Sequence, residues 1–236
     1  MKNVLVTGCS KGIGFEIVKI FASKPNINIL AISRDKYGLN QLKIECDQIN
    51  KDFNLKVLSS DLSILKSIDA IVACVKKEFN GSLDGVIHNA GFLINKKFSD
   101  ITSKELEYSF KVNCFAPFIL TQKLIPFLNQ SSHTLSISSM GGVQGTKKFP
   151  GLSAYSTSKS TLITLTECLS EEFKMSNFYF NCLALGAVQT EMLSKAFPDY
   201  SAPLNSNEMG DFIVDFFLNG SKYFNGQVIP VSLTTP

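Results

Sequence analysis

The chain has 236 residues, of which 44% are hydrophobic, and it carries a formal net charge of +3 at pH 7. This length and apolar content predict one domain over residues 1–236, built around one substantial core. The small net charge, with its cations spread along the chain, argues against a nucleic acid partner, and no apolar run is long enough to span a membrane.

The first predicted strand, Asn3–Thr7, is a run of mostly apolar and β-branched residues that leads directly into a glycine turn over residues 8–14. Apolar residues then recur at helical spacing from Phe15 to Phe21, which indicates a helix. Glycines permit positive φ angles and let backbone N–H groups approach a pyrophosphate at the positive end of that helix. A turn without a ligand is the alternative, but its place between the first strand and the first helix favours a dinucleotide site.

Strands and helical segments alternate along the rest of the chain. The further strands are predicted at Ile27–Ser33, Leu55–Ser60, Leu83–His88, Thr134–Ser138, Phe178–Leu185 and Gln227–Leu233, with a helix at Asn207–Leu218. Strands joined by helical crossovers form a parallel sheet covered on both faces, and ligands bind beyond the carboxyl ends of its strands. The predicted fold class is therefore α/β, a single Rossmann-type doubly wound parallel sheet of about seven strands with helices on both faces.

After the fifth strand, Tyr155 and Lys159 are spaced so that they share one face of a helix. A phenol with a pKa of about 10 is protonated at neutral pH, but a fixed cation lowers that pKa towards the working range of a general acid or base. Tyr155 is then able to exchange a proton with a carbonyl or an alcohol. An isolated match of this kind is more often a half-buried tyrosine beside a solvated lysine, so the interpretation depends on its companions.

Those companions agree in order with one known family. Residues 7–14 match the TGxxxGxG turn, Asn89-Ala90-Gly91 match an NAG motif, and Asn113, Ser139, Tyr155 and Lys159 match a helix asparagine and an active-site serine, tyrosine and lysine. From Lys2 to about Gly226, the chain resembles the short-chain dehydrogenase/reductase family. The resemblance implies an oxidoreductase that transfers hydride between a nicotinamide cofactor and a carbonyl or alcohol substrate.

The resemblance also implies a role for each catalytic residue. Tyr155 gives a proton to the substrate oxygen during reduction, and Lys159 lowers the pKa of Tyr155 while it holds the nicotinamide ribose. Ser139 forms a hydrogen bond to the same substrate oxygen. Asn113 keeps a kinked helix open for a water that connects Lys159 to bulk solvent.

Two neighbouring serines leave the fifth strand, and only one of them can face the cleft because side chains alternate along a strand. The reactive serine of the family directly precedes a small or apolar pair and a glycine, which in Met140-Gly141-Gly142 selects Ser139. Ser138 is then expected to satisfy a backbone group at the strand end.

The cofactor preference is read from the end of the second strand. A carboxylate there would bind the ribose 2′-OH and favour NAD, but this chain has Ser33. Arg34 follows, and Lys11 lies in the glycine turn, so two cations could converge on a 2′-phosphate. NADP(H) is therefore favoured over NAD(H). The alternative is that both cations are ordinary solvated charges, with Asp35 neutralising Arg34.

Other cofactor contacts follow from position. Asp61 is expected to accept a hydrogen bond from the adenine amino group, or to be a solvated turn aspartate. Relatives usually have proline where this chain has Leu185, so the loop after the sixth strand is expected to lose stiffness. The implied cofactor-binding residues are Gly8, Ser10, Lys11, Gly12, Ile13, Gly14, Ser33, Arg34, Asp61, Leu62, Asn89, Ala90, Gly91, Tyr155, Lys159, Gly186, Val188 and Thr190.

The six cysteines are scattered without a CxxC pair, so neither a zinc site nor a disulfide framework is predicted, and no metal is expected. The chain begins with a strand, which leaves no room for a signal peptide, so a soluble, cytoplasmic protein is predicted. Relatives are homodimers or homotetramers built through the helices that hold Asn113 and Tyr155 and through the last helix and strand. The usual terminal glycines are absent before Pro236, which leaves assembly through that end open.

The expected substrate is a small or medium carbonyl compound with an apolar group, because apolar residues recur in the segment from Glu191 to Ser206 that follows Thr190. Two alternatives remain beside the reductase. One is a non-catalytic dinucleotide sensor or scaffold, and the other is a lyase or epimerase on the same fold.

Overall fold

A seven-stranded sheet forms the centre of the molecule, in the order β3-β2-β1-β4-β5-β6-β7, with every neighbouring pair parallel. The strands are β1 (Lys2–Thr7), β2 (Ile27–Ser33), β3 (Asn54–Ser59), β4 (Leu83–His88), β5 (Leu128–Ser139), β6 (Tyr179–Leu185) and β7 (Val228–Val231). The computed structural model describes residues 1–234, so that Thr235 and Pro236 at the end of the predicted tail lie outside the described residues. The α/β doubly wound prediction is confirmed. The strand order reverses between β1 and β4, where a sheet of this kind opens a crevice for a ligand.

Helices cover both faces of the sheet. They are α1 (Gly12–Ala22), α2 (Lys36–Ile49), α3 (Ile68–Phe79), α4 (Ser103–Phe110), α5 (Ala116–Leu124), α6 (Ser153–Glu172), α7 (Glu191–Ala196) and α8 (Ser206–Asn219). One apolar core lies between the sheet and helices α1, α2 and α8, and a second lies between the sheet and helices α3 and α5. Within residues 1–234, no helix has both the length and the apolar character needed to cross a membrane.

Alternation along the strands supplies both cores. Val4 and Ile29 face the core under α1, α2 and α8, whereas their neighbours Leu5 and Leu30 face the core under α3 and α5. All four side chains are fully buried. A parallel sheet buried on both faces needs this run of consecutive apolar residues, and it explains why the central strands were readable in the sequence.

The fifth strand is longer than predicted, because it begins at Leu128 rather than at Thr134. Leu128 pairs with Leu83 in β4, and the register then shifts before Gly85 pairs with His133. Ser131, between the two pairings, has a φ of 64°. The irregular stretch is polar and partly exposed, so it carries no apolar pattern by which the sequence could reveal a strand.

The final strand is shorter than predicted, Val228–Val231 instead of Gln227–Leu233. It is the edge strand of the sheet and pairs only with β6. Pro230 lies opposite Ala184 and has no N–H to donate, which an edge position tolerates.

Both histidines are buried in their neutral forms. Asn181 Nδ2 donates to His133 Nε2 at 3.1 Å, so His133 Nδ1 donates to the Phe217 carbonyl at 2.9 Å. His88 Nε2 lies 2.8 Å from the hydroxyl of Thr121. Burial lowers the pKa of each imidazole to about 4, and the charge of Lys159 acts in the same direction on His88. His133 Nε2 accepts a hydrogen bond from the Asn181 side-chain amide, so a proton on that nitrogen would point at the amide hydrogens.

We expect the free energy of unfolding to fall as the pH drops below about 6.5. In the unfolded chain both histidines bind a proton below that pH, whereas in the folded protein they stay neutral until about pH 4. Between pH 7.5 and 5 the loss is about 2 kcal/mol for each histidine. Urea unfolding at the two pH values measures it. His133→Asn keeps a donor for the Phe217 carbonyl and should remove about half of the pH dependence, whatever it does to stability itself. Equal stability of the wild-type protein at both pH values would contradict the expectation.

Candidate functional site

One cleft of about 460 Å³ lies beyond the carboxyl ends of the strands. It gathers eighteen of the twenty residues that the sequence singled out, and only Gly14 and Asn113 do not line it. Those that line it are Gly8, Ser10, Lys11, Gly12, Ile13, Ser33, Arg34, Asp61, Leu62, Asn89, Ala90, Gly91, Ser139, Tyr155, Lys159, Gly186, Val188 and Thr190.

The glycine turn is fastened to the end of β4. Asn89 Nδ2 donates to the carbonyls of Thr7 and Gly8 at 3.0 and 3.1 Å. The Thr7 hydroxyl accepts from the backbone N–H groups of Asn89 and Ala90 at 3.2 and 3.1 Å. Asn89 therefore holds the turn with its side chain. Thr7 is a further structural partner, which the sequence analysis named only as the first residue of the TGxxxGxG match.

Gly8 and Gly14 allow this close packing. Gly8 has a φ of 75°, and a Cβ there would lie 2.7 Å from the Cα of Ala90. A Cβ at Gly14 would overlap the carbonyl oxygen of Gly8 and the side-chain nitrogen of Asn89. Gly14 thus shapes the turn from behind and does not contact the cleft. The result is a narrow backbone cradle at the start of α1, which fits a pyrophosphate.

Each of the two cations near the predicted 2′-phosphate position has a protein partner. Arg34 Nη1 donates to the hydroxyl of Tyr108 on α4. Lys11 Nζ pairs with Glu191 at the start of α7 at 2.6 Å. Glu191 also pairs with Lys195, and these two lysines hold the pKa of its carboxyl at about 2. The sequence could not indicate these partners, because they belong to distant segments.

Asp35, which the alternative interpretation expected to neutralise Arg34, binds backbone N–H groups instead. Its Oδ1 accepts from the backbone N–H groups of Tyr37 and Gly38 at 3.0 and 3.2 Å and so caps α2. No ion pair joins Asp35 to Arg34 among the residues that the structure describes. Ser33 donates to the hydroxyl of Ser10 at 2.8 Å, which ties the end of β2 to the glycine turn.

Asp61 occupies a turn after β3. Its Oδ1 accepts from the backbone N–H of Ser63 at 2.8 Å, in the manner of the turn aspartate that the sequence analysis kept as an alternative. Its side chain still borders the cleft, and Leu62 beside it is 9% exposed. Both residues therefore line the cleft, and their contact with adenine stays a prediction.

Asn113 lies in a π-helical turn, Lys111–Phe115, that interrupts the helix between α4 and α5. This is the kink that was predicted. The side chain is fully buried. Its Oδ1 accepts from the Phe92 N–H at 2.8 Å, and its Nδ2 lies 2.8 Å from both the Phe92 carbonyl and the Ser158 hydroxyl. Asn113 thus joins the loop after β4 to α6 from behind the cleft wall.

Ser158 and Ser109 extend this buried contact, and the sequence analysis did not identify either role. Their hydroxyls lie 3.1 Å apart, and Ser158 also donates to the carbonyl of Tyr155 at 2.8 Å. Both serines are fully buried. A serine on a buried helix face can be recognised from the sequence, but its partner on α4 can be identified only from the structure.

The two serines at the end of β5 differ in exposure and in partners, but both border the cleft, whereas only Ser139 was expected there. Ser138 is 3% exposed and donates to the carbonyl of Lys159 at 2.8 Å, so it braces α6. The sequence analysis expected a backbone partner at the strand end, and the partner is instead in the helix. Ser139 lies at the mouth of the cleft, where its Oγ accepts from Gly141 N–H at 3.2 Å and keeps its proton available.

Tyr155 and Lys159 stand on the same face of α6 and both line the cleft. The expectation that Lys159 lowers the pKa of Tyr155 does not hold in this structure, because burial raises that pKa to about 12, with the Ser139 side chain acting against the rise. Lys159 is directed elsewhere, since its Nζ donates to the carbonyl of Ile137 at 2.7 Å. Burial lowers the pKa of Lys159 to about 8.

The loop after β6 is held firmly although proline is absent. Gly186 N–H donates to the Val231 carbonyl at 2.9 Å, Ala187 N–H to the Thr234 carbonyl at 3.1 Å, and Gln189 N–H to the Leu204 carbonyl at 2.7 Å. A Cβ at Gly186 would overlap the side chain of Ser232. The expected loss of stiffness is therefore offset by backbone hydrogen bonds to the end of β7, to the residues after it and to Leu204 before α8.

The arrangement supports proton exchange with a polar substrate atom. The phenol of Tyr155, the hydroxyl of Ser139 and the ammonium group of Lys159 line the same cleft as the backbone cradle and the cations beside it. Among the described residues, no three side chains of histidine, cysteine, aspartate or glutamate are grouped as metal ligands would be.

Comparisons with known proteins agree with this geometry. A family model described as short chain dehydrogenase matches residues 2–201. A 3-oxoacyl-[acyl-carrier-protein] reductase of Chlamydia trachomatis is 28% identical over 98% of this chain and 95% of that protein. Benzil reductase ((S)-benzoin forming) of Saccharomyces cerevisiae is 29% identical over 81% of this chain and 73% of that protein. A short chain dehydrogenase from Burkholderia cenocepacia, solved in complex with NADP, superposes with a TM-score of 0.87 at 20% identity, over 98% of this chain and 96% of that one.

Proposed function

The chain belongs to the short-chain dehydrogenase family, and from that premise we propose that it is an NADP(H)-dependent oxidoreductase that reduces a carbonyl substrate, or oxidises the alcohol, with Tyr155 as the general acid or base. The observation that carries the proposal is the meeting of Ser139, Tyr155 and Lys159 at one end of a cleft whose other end is a dinucleotide cradle.

The cradle fits a dinucleotide because Gly8 and Gly12 leave backbone in place of side chains before and at the start of α1, and the Asn89 side chain holds that backbone in position. When bound, NADPH supplies a hydride for the carbonyl carbon and becomes NADP⁺. The substrate oxygen accepts the phenolic proton of Tyr155 and a hydrogen bond from the Ser139 hydroxyl. Lys159 would hold the nicotinamide ribose with its ammonium group and assist the replacement of that proton.

Proton transfer needs a lower pKa at Tyr155, because a phenol with a pKa of about 12 is a weak proton donor near neutral pH. Lys159 is the group that can supply the change. Its ammonium lies in the same cleft, and a pKa of about 8 leaves it charged at pH 7. Redirection of Nζ from the Ile137 carbonyl towards the ribose and the phenolate would stabilise the tyrosine anion.

The preference for NADP(H) is supported by Ser33 at the end of β2, which offers no carboxylate to repel a 2′-phosphate. Arg34 lines the same part of the cleft, and Asp35 is engaged as a helix cap. The hydroxyl of Tyr108 restrains the guanidinium without neutralising its charge.

Arg34→Ala should weaken NADPH binding by about 10- to 100-fold and leave NADH binding nearly unchanged, because a charge-assisted bond to phosphate contributes about 1.5–3 kcal/mol. Titration calorimetry with each cofactor gives both dissociation constants. Lys36→Ala is the matched control, since it removes an exposed cation close to Arg34 that does not line the cleft. Equal losses for NADPH and NADH would exclude a 2′-phosphate role for Arg34.

Assembly as a homodimer or homotetramer is part of the proposal. The π-turn and α5 leave Phe115 and Phe118 with 43% and 50% of their surface exposed. Phe110 packs beside Phe115 with ring centroids 6.4 Å apart, so these two rings form one apolar face. A second copy of the same face would cover it. We also place the protein in the cytoplasm, which agrees with six unpaired thiols.

The reaction is tested by NADPH oxidation, followed by absorbance, across a panel of aldehydes, ketones and diketones with NADH in parallel. Net consumption of NADPH distinguishes a reductase from an epimerase, which returns its hydride. Tight NADPH binding without turnover of any panel member would favour a dinucleotide sensor instead. The complete set of Ser139, Tyr155 and Lys159 is the reason for placing the reductase first.

A further inference from the structure

The two ends of the cleft differ in chemical character. Charged residues from the glycine turn and from the loops after β2 and β3 line the dinucleotide end, namely Lys11, Arg34, Asp35 and Asp61. The end beyond Ser139 and Tyr155 is lined instead by large apolar side chains, which are Phe92, Leu93, Phe149, Leu152, Met192 and Phe197.

Two of these residues form an aromatic wall. The rings of Phe149 and Phe197 meet edge to face, with centroids 6.2 Å apart and an interplanar angle of 72°. Both side chains are partly exposed, so each ring keeps surface available to a ligand. Such edge-to-face pairs accept further rings readily, because the positive edge of one ring meets the negative face of the next.

The wall is fixed by the backbone around it. Asn95 Nδ2 donates to the Ala196 carbonyl at 2.7 Å, directly before Phe197. The neighbouring Lys96 N–H donates to the Gly151 carbonyl at 3.0 Å, in the loop that carries Phe149. The loop after β4 thereby joins the loop after β5 to the end of α7. A wall held from two sides is formed before the substrate arrives, which favours a rigid and planar substrate group.

Charge at this end opposes an anionic substrate. Glu191 borders it with a carboxylate already engaged by Lys11 and Lys195. Lys159, the cation at its base, is 3% exposed and donates to the Ile137 carbonyl. Among the described residues that line the cleft here, none offers an unengaged cation, and the Lys147 ammonium beside the wall lies over the Phe149 ring, with Nζ 5.2 Å from its centroid. An unpaired carboxylate is costly to bury.

We propose that the substrate is a neutral ketone or α-diketone whose carbonyl is flanked by an aromatic ring, with that ring seated against Phe149 and Phe197. This inference rests on the proposed reductase function and narrows its substrate class. Size, planarity and neutrality of the flanking group decide the specificity, and Ser139 and Tyr155 act on the adjacent oxygen.

Three α-dicarbonyl substrates test the proposal. These are 1-phenyl-1,2-propanedione, 2,3-butanedione and benzoylformate, which differ in the ring and in the charge. With NADPH, kcat/KM for the phenyl diketone should exceed that for butanedione by about 10-fold or more and that for benzoylformate by about 100-fold or more. The rise in Tm that 1-phenylethanol, 2-butanol and mandelate cause at equal concentration should follow the same order, and this measurement involves no turnover.

Variants locate the ring. For wild type, kcat/KM for the phenyl diketone divided by that for butanedione is expected to be about 10 or more. Phe149→Leu and Phe197→Leu should each lower this ratio to about 3 or less, because the edge-to-face contact is lost. Phe98→Leu is the control, since Phe98 is 82% exposed and does not line the cleft, and its ratio should match the wild type. A ratio is insensitive to partial misfolding, because both substrates use the same active molecules.

The outcomes separate this inference from the function beneath it. Tyr155-dependent reduction of butanedione without preference for the phenyl diketone would overturn the substrate class and leave the reductase standing. Preference for benzoylformate, or a ratio unaffected by both phenylalanine variants, would overturn it equally. Absence of reduction of all three compounds, together with Tyr155-dependent reduction of another carbonyl compound of the wider panel, would overturn the substrate class alone. Absence of Tyr155-dependent reduction across that whole panel would overturn both proposals.

Discussion

Tyr155→Phe is expected to lower kcat/KM by about 10³-fold, within the range that a positioned general acid contributes, while NADPH binding stays within about 2-fold of wild type. The substitution removes one hydroxyl and keeps the ring in α6. The backbone of α6 at this point is fixed independently, because Ser158 donates to the Tyr155 carbonyl at 2.8 Å. The loss is therefore expected in turnover and hardly at all in folding or cofactor affinity.

The measurement pairs NADPH oxidation with a direct binding titration on the same preparation. Tyr223→Phe is a suitable control, since Tyr223 is 79% exposed and remote in sequence from the cleft residues. A Tyr155→Phe enzyme that retains wild-type turnover would remove the assigned acid. Loss of NADPH binding together with turnover would instead show that the hydroxyl is needed to hold the cofactor.

Gly14→Ala is expected to lower the free energy of unfolding by about 3 kcal/mol and to abolish NADPH binding, because overpacking forces the backbone apart. Helix propensity alone would give the opposite sign, since alanine is favoured over glycine by about 1 kcal/mol inside a helix such as α1. Sterics decide the outcome here. The new Cβ would overlap the Gly8 carbonyl oxygen and Asn89 Nδ2, and neither atom can move without breaking the fastening to β4.

Gly12→Ala is the matched control for that experiment. A Cβ at Gly12 would meet only the Thr190 side chain, at 3.8 Å, so its cost is confined to the positive φ of 62°, about 1–2 kcal/mol. Urea unfolding and NADPH titration of both variants give the comparison. Gly14→Ala equal to or more stable than Gly12→Ala would show that the turn can relax around the added methyl group.

The fold was largely predictable because its signals are local. Runs of consecutive apolar residues mark the buried parallel strands, and the bounds of β2 and β4 agree with the prediction. The beginning of β5 was not predictable, because strand pairing through a shifted register at Ser131 needs no apolar pattern. The last strand was predicted too long for the complementary reason, since Ser232 and Leu233 look strand-like but pair with no strand among the residues that the structure describes.

The sequence predicted which residues line the cleft better than it predicted which partners those residues contact. Eighteen of the twenty residues selected from the motifs line one cleft, but the side chain that each one contacts depends on distant segments. Lys11 pairs with Glu191 across 180 positions, and Arg34 meets Tyr108 across 74. The pKa of Tyr155 shows the same limit, because the four-residue spacing from Lys159 is local, whereas the burial that raises it comes from the whole cleft.

The link between Asn113 and Phe92 has a consequence for local opening of the chain. Phe92 lies in a segment without regular structure, where amide hydrogens ordinarily exchange with solvent quickly. Its N–H is nevertheless donated to a fully buried amide oxygen on a different element. Deuterium uptake at Phe92 should therefore be slow and should accelerate only when the loop after β4 separates from the π-turn, so this single amide reports whether that loop is docked.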